Sequence, residues 1–169
     1  IDANWALYVD NYLEGFHIPY VHGDLHEELD YDSYRTELFE GGVLQVGIAR
    51  DTETCFDLPE SSPDHGQRIA AYYHMLYPGL MLSLDPWALS VNLVKPLSVK
   101  RTRLVYYGFV WDRSKLGKGA GGDLDQVEGE DQGIVEATQR GVMSGTYDRG
   151  LYSPKKETGV HHFHRMLAS

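Results

Sequence analysis

The chain has 169 residues and a mass of 19.1 kDa, enough for one domain with its own core. Its composition, 42% hydrophobic and 12% aromatic, is that of a globular protein and excludes disorder. A net charge of −10 excludes the basic footprint of nucleic-acid or anionic-membrane binding, and no run approaches the roughly 18 apolar residues of a bilayer span. One cysteine, Cys55, excludes an internal disulfide and any cluster held by several thiolates; a reducing, cytoplasmic setting is expected.

Residues 3–17 read as a helix. Trp5, Val9, Tyr12 and Phe16 form its apolar stripe, Asp10, Glu14 and His17 share another face, and Pro19 is expected to end it. Segments 33–40 and 43–50 alternate apolar and polar around Gly41-Gly42, a hairpin signal. The polar stretch 51–67 reads as a loop. Three segments rich in β-branched and aromatic residues follow, 69–76, 88–94 and 103–110, separated by Pro78-Gly79, Asp85-Pro86 and the turn at Lys100-Arg101. A glycine-rich connector, 115–122, leads to a second long helix, 131–143, with Ile134, Val135, Thr138 and Val142 at its inner spacing. The tail carries His161-His162-Phe163-His164. The expected architecture is one α+β domain spanning 1–169: a curved antiparallel β-sheet of five to seven strands packed on a long C-terminal helix, with the first helix at its mouth. Such a sheet encloses a cavity suited to a ligand.

The chemistry gathers in the segment from Asp10 to His22. Glu14 and His17, three apart on a helix, leave from one face. His22 lies five residues beyond His17, and a break at Pro19 lets both imidazoles turn to one point. Two histidines with a distant carboxylate leave a metal with open positions, as non-heme iron chemistry requires. Asp10 reads as a solvated helix position. His161, His162 and His164 read as a packed segment, strand or irregular, with Phe163 anchored inward. His26, His65 and His74 have no partner at a ligand spacing, and Cys55 lacks a basic neighbour that would activate it.

Glu14-x-x-His17-x4-His22, set within Asn-Tyr-Leu-Glu-Gly-Phe-His-Ile-Pro, resembles the catalytic domain of Rieske-type non-heme iron oxygenases, the ring-hydroxylating dioxygenase α-subunit family. The resemblance continues through Pro78-Gly79-Leu80-Met81-Leu82, Pro86-Trp87, Glu130-Asp131, Val135-Glu136, Gln139-Arg140-Gly141 and Tyr152-Ser153-Pro154 to His161-His162-Phe163-His164-Arg165, nearly the whole chain. It implies a helix-grip, START/Bet v1-like fold and a mononuclear Fe(II) held by His17, His22 and Asp131. From the residues alone, Glu128 and Glu130 compete with Asp131. It further implies that Glu14 bridges the iron to the electron-donating cluster of a neighbouring subunit, although Glu14 is also placed to orient His17. A glutamate there, where most ring-hydroxylating members have aspartate, resembles the members acting on quaternary amines.

The implied function is O2-dependent hydroxylation of a small organic substrate, aromatic or quaternary-amine-like. Electrons come from the 2Fe–2S Rieske cluster of a neighbouring subunit in a homotrimer, and ultimately from NAD(P)H through a reductase or ferredoxin. With Cys55 alone the chain cannot bind a Rieske cluster. It is expected to be the C-terminal part of a longer protein whose N-terminal Rieske domain lies outside it, the alternative being a stand-alone relative that has lost electron input, and to be inactive by itself. Substrate-pocket residues are expected among Tyr72, Tyr73, Leu80, Leu82, Trp87, Leu89 and Asn92. The alternative is a metal-free helix-grip module binding a hydrophobic small molecule, in which His17, His22 and Asp131 do not converge, or converge without metal, and Glu14 is solvent-exposed.

Overall fold

A computed structural model of the chain describes residues 1–21, 30, 33–50, 54–116 and 124–169. Six strands form one antiparallel meander in chain order: β1 (Arg35–Phe39), β2 (Gly42–Ile48), β3 (Ile69–Leu76), β4 (Leu80–Asp85), β5 (Ala88–Ser98) and β6 (Arg101–Val110). The strand expected at 69–76 has those bounds, and the later two extend beyond their expected ends. β4 lies between Pro78-Gly79 and Asp85-Pro86, which sequence reading treats only as separators. Two punctuators six residues apart leave room for a short strand, and its pairing with β3 and β5 defines which of its two alternating faces the helices cover.

The first hairpin turns at Glu40-Gly41, one residue earlier than Gly41-Gly42 suggests, because Phe39 and Gly42 already pair. Gly41 adopts φ +79°, a conformation glycine reaches without strain. A Cβ on Gly42 would lie 2.5 Å from the Met75 carbonyl oxygen, so the approach of β3 requires glycine there.

α1 (Trp5–Leu13) is capped by Asn4, whose side chain accepts from the Ala6 amide at 2.9 Å. It ends at Glu14, in extended conformation, and not near Pro19. A short helix, α2 (Ile18–Val21), starts after His17 and carries Pro19 in its first turn, where a missing N–H costs nothing. Glu14 and His17 therefore do not share a helical face; a turn between two helices brings them together.

α3 (Leu124–Met143) is the expected second helix, starting earlier than 131, and α4 (Thr158–Leu167) replaces the strand or irregular segment expected around His161–His164. Val160 and Phe163, one helical turn apart, are buried while His161 is exposed, so the segment follows the helical period and not the alternation of a strand. The expected single long helix closing the sheet, with α1 at the mouth, is not what forms. α1 packs on the sheet and against both α3 and α4, through a core that includes Tyr8, Val9, Leu13, Val43, Met75, Met81, Val94, Val135, Val160 and Phe163.

Cross-strand register assigns the faces. Tyr73, Met75, Met81, Ser83, Asp85, Ser90, Asn92, Leu104 and Tyr106 lie on the helix-covered side. Leu80, Leu82, Leu89 and Tyr72 lie on the opposite side. Leu80 and Leu82 therefore do not join Tyr73 and Asn92 on the face where the helices sit, because alternate residues of a strand point to opposite sides.

Candidate metal centre

The abrupt end of α1 builds the site. Glu14 Oε1 holds His17 Nδ1 at 2.5 Å, while Glu14 Oε2 accepts the amides of Phe16 and His17. One carboxylate thus caps the turn and sets the imidazole. Across it, His17 Nε2 stands 3.5 Å from Asp131 Oδ1 on α3. Side-chain exposures of 17% for Glu14, 13% for His17 and 16% for Asp131 place the trio in a partly dry setting.

The 3.5 Å separation is long for a hydrogen bond. Two metal–ligand bonds of roughly 2.1 Å meeting at about 90–110° hold their donor atoms about 3.0–3.4 Å apart, close to what is seen. An imidazole with Nδ1 engaged by a carboxylate presents Nε2 as a ligand, and the carboxylate behind it raises its basicity. Neutral imidazole nitrogen and carboxylate oxygen together suit a divalent first-row metal such as Fe(II). Among the described residues, no group of three or more His, Cys, Asp or Glu side chains is arranged to hold a metal ion. His22, the expected further ligand, lies outside the described residues, as does His26.

Of the three carboxylates open at the start of α3, Asp131 is the one that faces His17. Asn11 Nδ2 donates to Asp131 Oδ1 at 2.8 Å, a contact from α1 that sequence reading missed although Asn11 stands in the motif. Glu128 is committed elsewhere: Tyr8 OH donates to it at 2.6 Å and Asn92 Nδ2 at 2.7 Å, while Ser90 Oγ donates to Asn92 Oδ1 at 2.9 Å. Burial pushes the Glu128 carboxyl up, and these hydrogen bonds pull it back. Tyr12 ties the last turn of α1 to β4, its hydroxyl 3.1 Å from the Leu82 carbonyl and 3.2 Å from Ser83 Oγ, and its ring meets Tyr73 edge-on.

His17 Nε2 and Asp131 Oδ1 approach one another and Glu14 is 17% exposed, whereas the diverging form of the metal-free alternative expects them apart and Glu14 in solvent. Asp10 is not a solvated helix position. His164 Nε2 approaches Asp10 Oδ1 at 2.8 Å, and Tyr152 OH closes on His164 Nδ1 at 2.5 Å. The tail histidines thus serve separate partners, with His162 Nε2 3.0 Å from the Phe39 carbonyl and Phe163 fully buried, as the packed reading expects. Trp87 is buried at the β4–β5 turn, and Cys55 packs against Ala49 and Ala70.

The family profile described as ring hydroxylating alpha subunit (catalytic domain) matches residues 1–169. Choline monooxygenase, chloroplastic, of Arabidopsis thaliana is 35% identical over 175 residues, covering 99% of this chain and 39% of that protein. The carnitine monooxygenase oxygenase subunit of Escherichia coli (strain K12) is 28% identical over 179 residues, covering 98% of this chain and 46% of that protein. The chain therefore spans less than half the length of these relatives. A solved quaternary ammonium Rieske monooxygenase, described for carnitine oxidation and inter-subunit electron transfer, superposes with a TM-score of 0.76 at 23% identity over 99% of this chain and 47% of that one, a likeness of fold. No helix among the described residues is long and apolar enough to cross a membrane.

Proposed function

The chain belongs to the ring-hydroxylating α-subunit family as a catalytic domain, and from that premise we propose that it is the iron-bearing domain of an O2-dependent monooxygenase acting on a quaternary ammonium substrate. The observation that carries the iron site is the placement of His17, with Nδ1 on Glu14 and Nε2 facing Asp131. The substrate class rests on the choline and carnitine monooxygenases among the relatives.

In this reading His17, His22 and Asp131 hold Fe(II), which when bound supplies the activation of O2. Glu14 fixes the tautomer of His17, and Asn11 fixes the rotamer of Asp131. Glu14 also stands where electrons arrive from the Rieske cluster of a neighbouring subunit, in a trimer supplied with NAD(P)H electrons by a reductase or ferredoxin. Holding His17 on one side, its carboxylate would accept a hydrogen bond from a histidine of that cluster on the other and so would give a short path between the two centres. Ser90, Asn92, Tyr8 and Glu128 form a pre-oriented polar layer beneath the site, so substrate meets fixed dipoles and not mobile water.

Anaerobic titration with Fe(II) tests the centre. Wild type is expected to bind one equivalent, and His17→Ala, His22→Ala and Asp131→Ala are each expected to lose it while remaining folded by circular dichroism. A full equivalent retained in the histidine variants would overturn the ligand assignment.

A further inference from the structure

The helix-covered face of the sheet carries a carboxylate for which the iron site has no use. Asp85 ends β4 beside Ser83 and opposite Ala88, and is 6% exposed. Among the described residues no side chain hydrogen bonds or ion pairs with its carboxyl, and burial is the one influence acting on it. Glu128 approaches the same space from α3: the charges of Glu128 and Asp85 both act on the Tyr12 hydroxyl, which is itself held at β4. The rings of Tyr12 and Tyr73 meet there edge-on, and Trp87 is buried two residues beyond Asp85.

Among the described residues no positive side chain ion pairs with either acid. α1 has no lysine or arginine, and the helix-side positions of β2 to β6 have none either; Lys95, Arg101 and Arg103 fall on the other register. A buried carboxylate without a counter-charge destabilises the fold, and such a group is retained where it serves a ligand. The ligand chemistry follows from the donors it lacks. A quaternary ammonium has no N–H, so it requires diffuse negative charge and aromatic surface and no directed acceptor. A buried carboxylate with no hydrogen bond among the described residues, whose charge acts on the Tyr12 hydroxyl, supplies the charge, and the Tyr12–Tyr73 pair supplies the aromatic surface.

We propose that Asp85 is the specificity-determining residue of this site, the counter-charge that selects the onium group of a quaternary ammonium substrate, with Glu128 behind it and Tyr12 and Tyr73 as its aromatic surface. The assignment rests on the quaternary-amine reading above, and its test separates the two.

Choline and its uncharged isostere, with carbon in place of nitrogen, have the same shape and differ in charge. Equilibrium binding of both is measured on wild type and Asp85→Asn in the protein at its native length, with melting curves to confirm that the variant is folded. Wild type is expected to prefer choline by about tenfold or more. Asp85→Asn is expected to lose that preference while binding the isostere as wild type does. A variant that keeps the full preference overturns the role of Asp85 and leaves the quaternary-amine reading standing. A wild type with no preference for the charged compound overturns that reading and this assignment with it.

Discussion

Asn11 donates its side-chain amide to the same Asp131 oxygen that faces His17, so a residue of α1 sets the rotamer of a carboxylate 120 positions away on α3. Without that amide the carboxylate loses a restraint that keeps it turned toward the imidazole. Asn11→Ala is expected to weaken Fe(II) binding by about 10–100-fold while leaving one equivalent at saturation. A chelator-competition titration reads both quantities, and unchanged affinity would show that Asp131 needs no such support.

Glu14 does two things that separate by substitution. Glu14→Gln keeps an oxygen for His17 Nδ1 and removes the charge, so iron is expected to stay bound while turnover falls. Glu14→Ala removes the support of His17 as well, and iron affinity is expected to drop by about tenfold or more. Single-turnover rates beside iron stoichiometry make the comparison; normal turnover in Glu14→Gln would sink the bridging role.

Asp10 and His164 tie α1 to α4 across the chain's full length. Burial raises the Asp10 carboxyl to about 6, against the pull of His164, which lowers it. Removing the imidazole leaves a half-buried carboxylate with a worse partner, and His164→Ala is expected to cost about 1–2 kcal/mol, read from urea midpoints at neutral pH. Because the folded carboxyl titrates above its ordinary value, the loss is expected to shrink as pH falls through about 6 and Asp10 takes up its proton.

Asp85 gives a pH signature of its own. Burial raises its carboxyl from 3.8 to about 7, so between those values the folded protein binds the proton more tightly than the unfolded chain does. Stability from this group is present at low pH and is lost as pH rises through about 7. Asp85→Asn is expected to be more stable than wild type by about 1–3 kcal/mol at pH 8 and little changed at pH 4. No gain at pH 8 would mean that the carboxylate has a counter-charge after all.

Phe163 is fully buried, with its ring edge-on to Trp5 at 5.6 Å. Phe163→Ala is expected to cost about 3–5 kcal/mol and to loosen α4 from α1. Thermal melts of the variant, with protease sensitivity mapped across α4, measure both effects.

Much of the local order was legible in the chain. The glycine pair marked the first hairpin, β-branched and aromatic runs marked β3, β5 and β6, and the motif around Glu14 and His17 marked the family. The wrong steps were also local. Glu14 and His17 meet because a helix stops between them, and the histidines of the tail follow a helical period that a four-residue run does not reveal. β4 was missed although Leu80, Leu82 and Leu84 alternate with Met81, Ser83 and Asp85; the partner strands define only which of those faces the helices cover.

Residue type and short spacing singled out Glu14 and His17, because local side-chain chemistry is a property of residues a few positions apart. That Asp131 and not Glu128 faces His17, that Asn11 donates to it, that Asp10 meets His164, and that Asp85 has no side-chain partner among the described residues were decided by tertiary structure alone. Each depends on which faces of α1, α3, α4 and the sheet meet, and that is set by burial summed over the whole core, which no short stretch of sequence encodes.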